Sequence, residues 1–292
     1  MLSVARYFSY HGLSVDDVRR MVRPLRDGES LLLVGSVAEG LSNAGSDLDL
    51  LLLGAEASDE PDWRSKIMQS MPAAFDVNLE ILTPTEIDAL GHRFKRSLNC
   101  AGSAMPESGP TAIRFIGPDD LRLLHRLYTG LPVSESGNRL AELRERYALH
   151  RLADVCLLQQ AACHLRLRTD AEQAGLDGRE HDTAVLMAQI SAQHLLGCVL
   201  ASAGETNMTP KWSLRLMHDH AHTLQHLDLD AIRSLVLNAS GASAHGTLDR
   251  LTAVSSRTLA ALVAAAERSG SPVANAIRAL VESQPGRQPV EA

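Results

Sequence analysis

The sequence predicts an α/β (α+β) N-terminal domain over residues 1–133, an all-α helical bundle over 134–283 and a short disordered tail over 284–292. Three observations carry this. Short apolar runs that read as strands, including Leu31–Val34 and Leu48–Leu53, fall before residue 133 and alternate with helical segments. Beyond it no strand is convincing, and Ala/Leu-rich stretches at about 135–168, 179–203, 211–223 and 246–268 read as helices. From Gln284 onward the chain concentrates Pro, Gly and charge. At 292 residues it is long enough for two cores.

The elements follow in order. Ser14 and Asp17 form a capping box that opens a helix to about Leu25. Residues 30–35 make the first strand and 47–53 the second, with a helix expected at 60–70. Residues 74–82 alternate, with Phe75, Val77, Leu79 and Ile81 on one face and Asp76, Asn78, Glu80 and Leu82 on the other. In Thr83-Pro84-Thr85-Glu86, Thr83 caps, Pro84 takes the first helical position and Glu86 closes the box, so a helix runs to about Leu98. A Gly/Ser/Pro loop over 99–110, a short strand over 111–116 and a helix over 119–129 ending at Gly130 complete the domain. In the bundle, breaks fall at Asp177-Gly178, at 204–210 and at Ser240–Ser243.

Composition narrows the function classes. Aromatics are only 3%, so the cores rest on Leu, Ala and Val. The net charge of −7, with pI about 5.9, argues against a long nucleic-acid substrate, which favours a basic surface. Cys100, Cys156, Cys163 and Cys198 show no Cys-x-x-Cys spacing and read as reduced thiols. The sequence shows neither a signal-peptide pattern nor an uninterrupted apolar run of membrane-spanning length, so a cytoplasmic enzyme without a membrane partner is expected.

The chemistry concentrates in one segment. The first strand ends in Gly35-Ser36, a Gly/Ser/Asn-rich stretch follows, and Asp47-Leu48-Asp49 opens the second strand. Residues i and i+2 of a strand share a face, so both carboxylates project side by side from a backbone otherwise all leucine. Such a pair repels itself unless a divalent cation sits between, and Mg²⁺ is usually held by one or two carboxylates plus substrate phosphates. The Gly-Ser turn offers backbone amides for a polyphosphate.

Gly35-Ser36, ten intervening residues and Asp47-Leu48-Asp49 on a strand resemble the signature of the DNA polymerase β-like nucleotidyltransferase superfamily, in particular its small-molecule, antibiotic-type members. The resemblance covers residues 30–82 by motif and about 1–133 by element order. It implies a mixed sheet carrying an acidic triad, two Mg²⁺ ions, an NTP (ATP being the expected donor) and a helical domain that closes the cleft and selects the acceptor. Asp47 and Asp49 would hold both ions. A third carboxylate on a neighbouring strand would complete the set or act as general base. Asp76 and Glu80 are the candidates, about 13–14 Å apart along a strand. Glu80 is favoured, and Asp76 stays open. Asn78 lies between them, where many relatives carry aspartate. Gly35 and Ser36 would contact the β- and γ-phosphates, and Ser46 would either bond a phosphate or fix the turn.

Lys211 is a further candidate. Thr209 can cap and Pro210 can start a helix, which puts Lys211 in the first turn, where a cation opposes the helix dipole. An anion such as a triphosphate would compensate. His218 and His222 have the i, i+4 spacing of a zinc pair, but a polar helix end is the simpler reading. His125 and Arg126 could line the cleft, but interdomain packing is the simpler reading, and Arg114 and Arg122 are open in the same way.

The reading is therefore Mg²⁺-dependent transfer of a nucleoside monophosphate from an NTP to a hydroxyl of a small molecule, with pyrophosphate released. Alternatives keep the core but change the acceptor to RNA, a protein or another nucleotide, in signalling or toxin–antitoxin fashion. Others make the chain a non-catalytic nucleotide-binding relative, or a protein that forms a homodimer through its helical bundle.

Overall fold

The computed structural model describes residues 3–21, 25–56, 76–102, 115–135, 137–177, 180–237 and 243–283. The chain divides into two compact units, Met1–Lys95 with Ile116–His150 and Arg96–Phe115 with Arg151–Ala292.

The first unit contains helices α1 (Val4–Tyr10), α2 (Val15–Met21), α3 (Gly35–Ala38), the start of α4 (Pro84–Gly102), α5 (Pro118–Thr129) and α6 (Arg139–Arg146). Its strands are β1 (Ser30–Val34), β2 (Leu48–Leu53), β3 (Val77–Leu82) and β4 (Leu131–Glu135), in the order β3-β2-β1-β4. The sheet is mixed: β1 is antiparallel to both β2 and β4, and β2 is parallel to β3.

Burial explains the strands. All of β1 and nearly all of β2 are buried, as expected for leucine runs covered on both faces. Tyr7, Phe8 and Val18 from α1 and α2 pack with Leu31, Leu33, Leu48, Leu50, Leu52 and Leu79 in one core. β3 is half-covered, with Val77, Leu79 and Ile81 on this core and Asn78 exposed. Both expected capping boxes form. The Asp17 carboxylate accepts from Ser14 N at 2.7 Å, and the Glu86 carboxylate accepts from Thr83 N at 2.8 Å.

Several boundaries differ. Helix α1, capped by the Ser3 hydroxyl, has no counterpart in the expected elements. α4 continues to Gly102, through the start of the stretch expected as a loop. Phe115 and Ile116 are not strand, and the remainder of the expected 111–116 strand lies outside the described residues, as do the helix at 60–70 and the tail. The fourth strand is instead Leu131–Glu135, which the expected boundary near residue 133 cuts through. Pro132 masks it in the sequence, yet among the described residues β4 pairs with β1 alone, and an edge strand tolerates a proline.

The second unit is helical over its described residues beyond His150: α7 (Leu152–Leu176), α8 (His181–Ser202), α9 (Pro210–Asp219), α10 (Leu229–Leu237), α11 (Ala244–Arg268) and α12 (Ala274–Glu282). α8 packs on α7, α9, α10 and α11. Among the described residues α8 is the one helix long and apolar enough to cross a membrane, and most of it is buried inside the protein. Cys156 and Cys198 are buried free thiols, and burial pushes the Cys156 thiol up to about 12. Cys163 is partly buried and also free.

Candidate active site on β2 and β3

The end of β1 and the start of β2 lie side by side, with Val34 paired to Asp49. The chain then turns sharply at Gly35, whose φ is +69°. A Cβ at Gly35 would collide with the Asp49 carboxylate, so both the backbone conformation and the carboxylate position need glycine. Gly35 and Ser36 begin the short helix α3, and both are partly buried.

Ser46 helps to build the turn. Its hydroxyl accepts from Asn43 N at 3.0 Å and faces Asn43 Oδ1 at 3.3 Å, while Asn43 Oδ1 also accepts from Gly45 N. The Ser46 carbonyl accepts from the Tyr7 hydroxyl at 2.6 Å. Tyr7, in α1, therefore holds the residue that precedes Asp47. Burial, then the charges of Asp47 and Asp49, push the Tyr7 hydroxyl above its ordinary value, so it stays a donor.

The carboxylates differ. Asp47 is exposed and makes no ion pair among the described residues. Asp49 is partly buried, with Arg126 Nη2 at 3.5 Å from Oδ1. Burial drives the Asp49 carboxyl above its usual range. Arg126 and the Asn78 amide oppose the shift, and Asp47 reinforces it.

The strand register decides which β3 residue faces the pair. Asp49 lies opposite Asn78, and Glu80 lies opposite Leu51. The Asn78 amide reaches Asp47 Oδ2 at 3.4 Å and Asp49 Oδ1 at 3.2 Å. Glu80 is engaged elsewhere. Its oxygens accept from Arg122 at 2.9 and 3.1 Å and from Arg126 at 2.8 Å. Burial raises the Glu80 carboxyl, but the arginine hydrogen bonds and charges together outweigh it and leave it below its usual value. Among the described residues no three His, Cys, Asp or Glu side chains converge as a metal cluster. Glu80 as third metal ligand, the favoured expectation, therefore has no support in this geometry: it is saturated by guanidiniums. Asp76, the other candidate, is exposed one residue before β3 begins.

Arg122 and Arg126 are one helical turn apart on α5 and face the same way. With Asp49, Asn78, Leu79, Glu80 and Ile81 they line an open cleft of about 450 Å³. His125, between them, turns inward, and its Nε2 lies 3.1 Å from the buried Glu39 carboxylate at the end of α3. This pair ties α5 to the Gly35–Ser36 turn. The sequence offers Arg122, Arg126 and His125 as cleft or packing candidates but not their partners, because each meets Glu80, Asp49 or Glu39 only across the fold. A larger cleft, about 680 Å³ and lined by Gly28, Asp88, Arg139 and Arg146 among others, lies at the opposite end of the strands, away from the acidic pair.

Lys211 belongs to the second unit. It is exposed at the start of α9, with its ammonium 4.7 Å from the Trp212 ring centroid. Pro210 takes the first helical position as expected, but Thr209 makes no side-chain cap. α9 ends at Asp219, so His218 and His222 do not share a helical face, and the polar helix end is what forms. His220 there lies 3.6 Å from Glu205.

Neither a protein-family model nor a curated protein matches the chain. Among solved structures, it is similar to a nucleotidyltransferase-like protein from Exiguobacterium sibiricum, at 12% identity and a TM-score of 0.41, over 86% of this chain and 74% of that one.

Proposed function

We propose that the protein is a metal-dependent nucleotidyltransferase that moves a nucleoside monophosphate from an NTP, with ATP the expected donor, to a hydroxyl of a small molecule. The observation that carries this is Asp47-Leu48-Asp49 at the start of β2, packed on the Gly35–Ser36 turn at the end of β1. In the reaction the acceptor oxygen bonds to the α-phosphorus, the bond from that phosphorus to the bridging oxygen breaks, pyrophosphate leaves and the hydroxyl proton passes to solvent.

Asp47 and Asp49 fit one divalent cation, since one is exposed and has no ion pair among the described residues and the other is held in place beside it. Bound there, a Mg²⁺ would supply charge stabilisation at the transferring phosphoryl group. The chain's own groups do the rest. Gly35 keeps Asp49 on station, Tyr7 and Asn43 hold the Ser46 turn that aims Asp47, and Arg122 and Arg126 offer forked donors to phosphate oxygens. Ser36 is the proposed phosphate contact of the turn. Lys211 is a second proposed phosphate contact.

The test is incubation with each NTP, Mg²⁺ and a panel of hydroxylated metabolites, with pyrophosphate release as readout. Asp47→Asn should lower turnover by at least 10³-fold (about 4 kcal/mol,) while leaving the circular dichroism spectrum unchanged; wild-type turnover in that variant defeats the mechanism. Lys211→Ala should weaken NTP binding without loss of fold. Asn78 in the place of a third carboxylate favours a second reading, a non-catalytic nucleotide-binding protein. Metal-dependent NTP binding with no pyrophosphate from any acceptor would select it.

A further inference from the structure

We infer that the site takes a single divalent cation, on Asp47 and Asp49, and that the Arg126 guanidinium, clamped by Glu80, supplies the positive charge that a second cation would bring to the nucleotide's phosphates. The inference rests on the nucleotidyl-transfer reading.

Two cations about 3.5–4 Å apart need several carboxylates to neutralise and bridge them. Here the residue opposite Asp49 in the register is an amide. Asn78 carries no charge, and its contacts with Asp47 and Asp49 require the Nδ2 donor toward both. The reverse amide orientation would set a carbonyl oxygen against two carboxylates. Turned by a bound cation, Asn78 could offer only a neutral ligand. The position opposite Asp49 therefore supplies no carboxylate to bridge or neutralise a second divalent ion.

Of the two other acids on this side of the sheet, Asp76 does not converge with the pair into a metal cluster, and Glu80 is committed. Freeing Glu80 for a metal would break its three charge-assisted bonds to Arg122 and Arg126. Arg126 is well buried, with its side chain 16% exposed, and lies between Glu80 and Asp49. A fixed positive charge thus flanks Asp49 on the β3 side and repels a second cation there. The two arginines project from one face of α5 with forks that suit phosphate.

The experiment is equilibrium dialysis of the full chain against Mn²⁺ and saturating α,β-methylene ATP, with the excess Mn²⁺ on the protein side counted per chain. The wild type should bind one Mn²⁺ per chain, including any carried by the nucleotide, and Asn78→Asp should bind two. Arg126→Ala should weaken binding of the analogue at least tenfold at fixed Mn²⁺, with Arg126→Lys recovering part of the loss. Two Mn²⁺ in the wild type, or unchanged analogue affinity in Arg126→Ala, would overturn the inference and leave nucleotidyl transfer standing. No metal-dependent binding of the analogue would overturn both.

Discussion

Gly35 has φ at +69°, and its Cα faces the Asp49 carboxylate with no room for a further carbon. Gly35→Ala should cost roughly 1–2 kcal/mol from left-handed backbone alone. It should also displace Asp49, so the rise in melting temperature produced by Mg²⁺ and NTP should shrink. Urea unfolding and thermal shift measure the two effects separately, and a variant with wild-type values in both would show that the close approach is dispensable. Gly35, Asp47 and Asp49 were legible in the sequence because one short segment holds them. Tyr7 was not, and Arg122 and Arg126 were legible only as candidates for the cleft or for domain packing, because they reach the site from α1 and α5 and nothing local names the Ser46 carbonyl, Asp49 or Glu80 as their partners.

Among the elements, β3 shows what a sequence pattern can and cannot deliver. Its alternation placed Val77, Leu79 and Ile81 on the core and Asn78 with Glu80 on the other face. Which of these meets Asp49 depends on the register, and a parallel strand separated from β2 by more than twenty residues carries no local cue to it. The capping boxes at Ser14 and Thr83 were readable for the opposite reason, since donor and acceptor lie three residues apart. The helical unit hid a different feature. His164 of α7 is fully buried, with Nδ1 at 2.9 Å from the Ser191 carbonyl of α8 and Nε2 at 2.6 Å from the Ser255 hydroxyl of α11. A neutral ring satisfies both: Nδ1–H donates to the carbonyl and Nε2 accepts from the hydroxyl. Burial pushes its pKa down to about 4, with Arg168 and His194 adding to the fall and the Ser191 bond opposing it. An unfolded histidine titrates near 6.5. The unfolded state therefore binds the proton first, so stability is full above about pH 6.5 and declines as pH falls toward 4, by up to about 1.4 kcal/mol per unit. His164→Gln should be less stable at neutral pH yet flatter across this window; an unaltered slope in urea titrations would show that other groups set it.

At the scale of the whole molecule, the division into two compact units separates these two sensitivities. The acidic pair, its glycine and both arginines belong to the unit built on the β3-β2-β1-β4 sheet, while His164, Ser191 and Ser255 belong to the helical one. The sheet unit has a core of its own around Tyr7, Leu33, Leu50 and Leu79, and in the helical unit α7 and α8 pack along each other with α11 and α12 beside them. A ligand stabilises the part of the protein that binds it, by about 2.7 kcal/mol at a hundredfold excess over its dissociation constant. Scanning calorimetry should therefore resolve two transitions. Mg²⁺ with a non-hydrolysable NTP should move the sheet transition up, and acidification from pH 6.5 toward 5 should move the helical one down. The Asp49→Asn variant should lose the first response and keep the second. A single transition that shifts as a whole under both treatments would mean that the two units unfold together, and the nucleotide site and the buried histidine would then report on one cooperative structure.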